Sequence, residues 1–468
     1  MGIDSTRAAA AGDVRPRDCD LLIRNAYVAT VDAERTVYPT GAIAIDGRDI
    51  VAVGRERDVV PRFAPRRVID AGGSLVHPGL LDMHYHATFH MVGKMIAEAD
   101  TSKEDPGPWV ARQYTALINA LGDEEEHANA LLACLDMVSN GVTAFMDPGT
   151  AFETDAIARA AGAIGMRASV AEPWLMDERG PQLADIDRAP IGRERALKLL
   201  GKELWRNKDP DALVRGHVAI FGMGAESEAL ALAAKKCAEA AGAPFTMHQS
   251  QSVDDTEFDD RRFGKHAVLH LFERGILGRN CVFAHMDVLR PDEYEAVVGS
   301  GLSVVWSINA WYYGTRLHVR NPMPTLFHRG ANVTLGLDVS KAGGFGSNQI
   351  YTNYVLARDQ GDYVSPGDLL AMHTINGARA MQLEERLGSI EVGKRADIVI
   401  RSNAVPEAIP VYNLERQHLL VAGGKSVDTV IVDGRIVVQG GHSTLIDEGT
   451  VYELADKAAA RMRERAGL

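Results

Sequence analysis

The sequence predicts an α/β protein: a (β/α)8 TIM-type barrel with a small composite β-sandwich domain made from the two chain ends. Three observations predict it. Between about Gly79 and residue 383, short apolar runs alternate with stretches of helical period, as successive βαβ units do. Turn-punctuated β-rich segments flank that region on both sides, each too small to fold alone. Several apolar runs of the middle region end in histidine or aspartate, and the C-terminal ends of strands are where TIM barrels collect catalytic residues.

Residues 1–18 read as a flexible tail, small, polar and charged, without the apolar stretch of a secretory signal. The first part of the sandwich covers 19–78. Cys19–Asp32 alternates and is rich in Val, Ile and Leu. Ala42–Ile45 and Ile50–Val53 flank Asp46-Gly47, a hairpin signal, and Val68–Val76 adds a short strand around Gly72-Gly73. The barrel covers 79–383. Its strands are expected at Val142–Met146, Ala168–Val170, His217–Ile220, Pro244–His248, Val282–His285, Leu302–Trp306 and Val333–Leu337. Helices between them include Glu124–Asn140, Ser227–Ala241 and Asp292–Ser300. The second part of the sandwich and a C-terminal helix cover 384–468. Ala396–Ile400 precedes a hairpin of Val427–Val432 and Ile436–Val438 about Asp433-Gly434, and Tyr452–Arg465 closes the chain as a charged helix.

Of 468 residues, 46% are hydrophobic and 24% charged, with a net charge of −13. That acidity gives no electrostatic reason to bind nucleic acid or an anionic membrane, so a small-molecule substrate is expected. No apolar stretch is long enough to span a bilayer. The four cysteines have no paired spacing, which argues against a disulfide framework or a thiolate zinc site. The expectation is a cytoplasmic homo-oligomer.

The sharpest chemical feature is Pro78-Gly79-Leu80-Leu81-Asp82-Met83-His84-Tyr85-His86. Residues i and i+2 of a strand share a face, so His84 and His86 can project together and share a metal. Alone, such a pair also describes two surface histidines on an edge strand. His248, His285 and Asp338 each close a predicted strand as well, and the set as a whole points to a metal site. His217 stands at the start of its strand rather than the end and reads as structural. Phe89, His90, Trp174, Trp306, Trp311, Tyr312 and Tyr313 lie near the expected barrel mouth, consistent with a pocket for an apolar or aromatic substrate or with rim packing. Met91 and Met95 read as core.

These motifs, with Gly141-Val142-Thr143, Ser307-x-Asn309 and Gly336-Leu337-Asp338, resemble the amidohydrolase superfamily. The resemblance is to the branch of cytosine and guanine deaminases and triazine hydrolases, near the phenylurea and thiocarbamate herbicide hydrolases. Gly388–Asp397 and Asp428–Gly434 extend it to about residues 20–440. The resemblance implies His84, His86, His248 and Asp338 as metal ligands, with Asp338 also the general base. It makes His285 a catalytic group that polarises substrate or holds water. Gln251, Trp174, His90, Asn309 and Trp311 are the expected substrate-binding residues. Many relatives hold two metals on a carboxylated lysine of the fourth strand. Arg215–Gly224 contains no lysine, so one divalent ion is expected: zinc, or else iron, cobalt or manganese.

Deaminases of this branch carry a glutamate three residues after the strand-five histidine, to shuttle a proton to the ring. Here that residue is Gln251, which can hold a hydrogen bond but cannot carry a proton. The first functional expectation is therefore hydrolysis of an amide-, urea- or (thio)carbamate-like bond. The alternative is a deaminase or dechlorinase of a nitrogen heterocycle. A non-catalytic scaffold is a third, weakened by the intact ligand set.

Overall fold

The computed structural model describes residues 15–96, 107–181, 185–308, 320–339 and 344–468. Five strands open the chain: β1 (Arg17–Ala29), β2 (Val37–Asp46), β3 (Asp49–Arg55), β4 (Phe63–Asp70) and β5 (Leu75–Pro78). β1 starts inside the segment expected as tail. The single strand expected at Val68–Val76 is two, because Gly72 and Gly73 both take positive φ and turn the chain between β4 and β5. β1 pairs antiparallel with β2, while its first half runs parallel to β4 and its last residues parallel to β5.

Nine strands follow in the middle of the chain. They are β6 (Leu80–Asp82), β7 (Val142–Met146), β8 (Arg167–Val170), β9 (Val214–Gly216), β10 (Val218–Gly222), β11 (Phe245–Gln249), β12 (Cys281–His285), β13 (Ser303–Trp306) and β14 (Asn332–Leu335). They form two parallel sheets, β6 to β9 and β10 to β14. Their residues are buried almost throughout, as strands covered on both faces must be. Hydrogen bonding continues across both junctions. His217, between β9 and β10, donates its N–H to Val170, while Val218 donates to Pro244. At the other junction Met83 donates to Leu335, Asp338 to His84 and His86 to Asp338. Helices such as Asp123–Ser139 and Glu228–Ala241 cover the outside; the second is capped by Ser227, whose hydroxyl accepts the N–H of Leu230, and stops at Gly242 in the left-handed region.

Four short strands end the chain: β15 (Ile398–Arg401), β16 (Val427–Val432), β17 (Arg435–Gln439) and β18 (His442–Ser443), before a helix at Glu448–Ala466. The two chain ends share one mixed sheet of nine strands, in which β5 and β15 pair antiparallel and so join them. The tips of its hairpins meet. A Cβ on Gly434 would lie 2.0 Å from the Gly47 carbonyl oxygen, so only glycine fits there. Arg167 on β8 ties this sheet to the central strands through Asp397 and Asp433, at 2.8 and 2.7 Å. All four cysteines are free thiols, as expected. No described helix is long and apolar enough to cross a membrane.

Candidate metal centre and active site

The site is built where strand ends converge. Beyond β6 the chain carries His84 and His86, and Tyr85 bridges in parallel register to Asp338 beyond β14. The approach is close: a Cβ on Gly336 would lie 2.8 Å from the backbone nitrogen of His84. Asp82 holds the two ends together, its buried carboxylate accepting the N–H groups of His84 and Leu337 at 3.1 Å each. Burial outweighs those donors and pushes Asp82 up to about 8. The sequence reading quoted Asp82 within the motif without giving it a role.

Five side chains come together. His84, His86 and Asp338 place their ligand-type atoms within 4.8 Å of one another, as do His84, His248 and His285. His86 Nε2 is 3.0 Å from Asp338 Oδ1 and His84 Nε2 is 3.6 Å from it. The His248 ring stacks at 5.5 Å on His285 and at 5.4 Å on His86. His285 thus joins the group as closely as the expected ligands do. His285 and Asp338 both adopt positive φ, at 72° and 66°, the kind of backbone strain that collects at functional sites.

The electrostatics suit a cation. Burial and the neighbouring imidazoles hold His248 well below its usual range, and burial lowers His84. Burial alone would raise Asp338, but His84 and His86 outweigh it and hold that carboxyl well below the usual carboxylate range. His84 and His248 are therefore held neutral beside an ionised carboxylate. His248 Nδ1 lies 2.6 Å from the Phe221 carbonyl oxygen, to which it donates, leaving Nε2 as a lone pair. His84 Nε2 is buried without a hydrogen-bond partner among the described residues. An orphaned imidazole nitrogen beside an ionised carboxylate fits a divalent ion.

Other expected residues are placed differently. His90 does not join the group: it is fully buried, with Nδ1 2.5 Å from the Tyr85 hydroxyl and Nε2 2.7 Å from Lys94 Nζ. Trp306 is packed in the core rather than at a mouth, while Met91 is core as read. Trp174 stands beside the cluster, stacked on Phe221 at 5.1 Å, but donates its indole N–H to the Thr150 carbonyl at 2.8 Å. Gln251 lies just past β11, partly buried, its backbone N–H held by Asp255 at 3.0 Å. His217 is buried against the Ser169 hydroxyl at 2.9 Å and pushed down by burial to about 3, which fits its structural reading. Asn309, Trp311, Tyr312 and Tyr313 lie outside the described residues. Phe89, which stacks on His86 at 5.4 Å, was named among the aromatics; Thr150 and Phe221, which hold the ligand rings, were missed because an isolated hydroxyl or carbonyl leaves no spacing signal.

Relatives carry the same organisation. The chain is 28% identical over 428 residues to a 5-methylthioadenosine/S-adenosylhomocysteine deaminase of Syntrophobacter fumaroxidans, covering 90% of this chain and 93% of that one. It is 27% identical over 460 residues to a 5'-deoxyadenosine deaminase of Methanosarcina mazei, covering 95% and 99%. Among solved structures, an adenosine deaminase from Xanthomonas campestris with bound zinc superposes with a TM-score of 0.83 at 23% identity, over 96% of this chain and 100% of that one. An atrazine chlorohydrolase from Arthrobacter aurescens complexed with zinc gives 0.81 at 20%, over 94% and 100%. The model of the amidohydrolase family matches residues 75–437, a span that includes all five clustered side chains, and the chain belongs to that family.

Proposed function

We propose that the protein is a zinc-dependent aminohydrolase that removes the exocyclic amine of an adenine-type nucleoside, using one ion held by His84, His86, His248 and Asp338. The observation that carries this is the end-to-end likeness to relatives named as adenosine-type deaminases, joined to a cluster with the donor set such chemistry needs. We read the two parallel sheets as one closed eight-strand barrel, in which β9 and β10 are a single strand interrupted at His217. The nine-stranded sheet, within residues 17–78 and 384–468, is then its accessory unit.

A bound ion supplies acidity to a water and polarises the carbon under attack. Asp338, ionised and next to His84 and His86, accepts the proton of the attacking water. His285 faces the same space and holds the departing or attacking group by a hydrogen bond. The ring nitrogen must gain a proton as water adds, and the amine a second one as it leaves. Gln251 can give neither, so Asp338 passes the first water proton to the ring nitrogen and then the proton of the new hydroxyl to the amine, which departs as ammonia. Phe221, partly exposed and 5.2 Å from the His248 ring, offers apolar surface suited to a planar base.

The second reading is the one ranked first from the sequence, hydrolysis of an amide, urea or (thio)carbamate. The specific observation in its favour is Gln251, because an acyl substrate does not need ring protonation. The test is ammonia release from adenosine, 5'-deoxyadenosine and 5'-methylthioadenosine beside a panel of amides, ureas and thiocarbamates, using zinc-loaded protein. Rapid ammonia release from a nucleoside supports deamination; turnover of the acyl panel alone reverses the ranking.

A further inference from the structure

We propose that Thr150 is a positioning residue that sets the tautomer and ring angle of His86, and that Trp174 acts through Thr150 rather than on substrate. This rests on the metal-centre reading above. His86 is held flat between two rings, Phe89 at 5.4 Å and 6° and His248 at 5.4 Å and 17°. Stacking fixes the plane of an imidazole but leaves it free to turn within that plane. Two polar contacts oppose that turn: Asp338 Oδ1, 3.0 Å from Nε2, and Thr150 Oγ1, 2.9 Å from Nδ1. If His86 offers its Nε2 lone pair toward the cluster, Nδ1 bears the proton and Thr150 accepts it. A second-sphere acceptor of this kind fixes which nitrogen is free to bind.

Thr150 is itself locked on every polar atom. Its N–H donates to Asp147 Oδ1 at 3.2 Å, and its carbonyl accepts the Trp174 indole N–H at 2.8 Å. Asp147 also accepts the N–H of Gly149 at 2.9 Å and of Ala87 at 3.4 Å, tying the loop after β7 to the residue that follows His86. Trp174 has no polar group left for a ligand. Its backbone N–H donates to the Gly149 carbonyl at 2.7 Å, and its own carbonyl accepts from Arg195 at 2.9 Å. It sits in the left-handed region at φ 53°, a conformation a tryptophan adopts only when its surroundings impose it. With 4% of its surface exposed, it is a strut between the β7 loop and Phe221, whose carbonyl holds His248.

The test measures zinc affinity of the full chain by competition with a chromophoric chelator, with apo-protein melting followed in parallel. Thr150→Val keeps the shape and removes the acceptor; about 10- to 100-fold weaker zinc binding is expected. Thr150→Ser restores the hydroxyl and is expected to return affinity to within a few-fold of wild type, which a merely structural defect would not do. Trp174→Phe keeps a ring and removes the N–H to Thr150; a loss of several-fold, smaller than that of Thr150→Val, is expected. Wild-type affinity in Thr150→Val overturns the proposal. Should that variant not fold, wild-type affinity in Trp174→Phe does so. A wild-type chain that takes up no zinc in the same assay overturns the metal reading instead.

Discussion

Two clusters of buried histidine lie in this molecule, and they have opposite chemistry. One is the group of His84, His86, His248 and His285 about Asp338. The other lies where the nine-stranded sheet meets the central strands: His77 on β5, His373 after the helix Pro366–Met372 and His418 in the turn Gln417–Val421, with Arg401 on β15. Arg401 is wholly buried, and among the described residues no carboxylate pairs with it. Its Nε donates to His77 Nε2 at 3.0 Å and its Nη1 to the Gly423 carbonyl at 2.9 Å, while burial pushes it down to about 9. His77 and His373 each spend one nitrogen on a backbone carbonyl, Pro78 and Leu81, and His418 bonds Asn403.

Burial lowers His77, His373 and His418 in the second group as it does His84 and His248 in the first, so burial does not tell the groups apart. What differs is the charged member. A carboxylate among converging lone pairs makes a cation cage; a guanidinium among them takes up the lone pair it faces, here His77 Nε2, and repels a metal. By this rule the first cluster is suited to hold a cation and the second to join the end sheet to the central strands.

The largest expected effect breaks the first cluster outright. His248→Ala should lose its metal and fall to background activity, as read by elemental analysis and turnover on the best substrate. Asp338→Asn should fold and cost about 10²- to 10⁴-fold in kcat, the range for a positioned acid–base group. His285→Ala sharpens the comparison from inside. If His285 acts on substrate, the variant keeps near one equivalent of metal while losing most activity; if it strips the metal as His248→Ala does, His285 is a ligand.

The second cluster should respond the other way. His418→Ala removes a buried hydrogen bond to Asn403 and leaves its partner unpaired, an expected cost of about 1–3 kcal/mol seen as a lower Tm. Its metal content should stay that of wild type. A fall in bound zinc would show that the two clusters are not separate.

How legible this was in the sequence follows from the same contrast. His84 and His86 were readable because a period-two strand puts them on one face, and His248, His285 and Asp338 because each closes an apolar run. The strand ladder was equally readable, since buried parallel strands are continuous apolar runs. The joint was not read: His77, His373 and His418 come from three distant segments, and nothing in their spacing announces Arg401. The strand order of the end sheet was not readable for a related reason, as the β5–β15 pairing is a long-range contact with no local signature. His90 misled because its place after the His84–His86 motif looks like a site position. Tyr85, pointing away from its two neighbours, takes it instead.

The smallest expected effect is the pH dependence of the joint. Burial pushes His373 down to about 4, against an ordinary value of 6.5. Between those values the unfolded chain binds a proton that the folded chain refuses. The stability contributed by keeping His373 neutral is therefore complete above pH 6.5 and is lost on acidification toward pH 4, by at most about 1.4 kcal/mol per pH unit. Glu126 and Glu172, pushed up by burial to about 7, lean the other way, because the folded chain holds protons there that the unfolded chain releases. The slope of the whole protein is a difference of these terms, so the wild type alone does not isolate the histidine. His373→Gln does: it keeps a donor for the Leu81 carbonyl and removes the titration. Its stability, from urea unfolding at half-unit steps from pH 7 to pH 4.5, should fall less steeply with acid than that of wild type, by up to one proton. Parallel curves would show that His373 is protonated as easily in the folded chain as in the unfolded one. Burial would then not be keeping this histidine neutral, and the reading of the second cluster as a joint of neutral imidazoles would fail at His373.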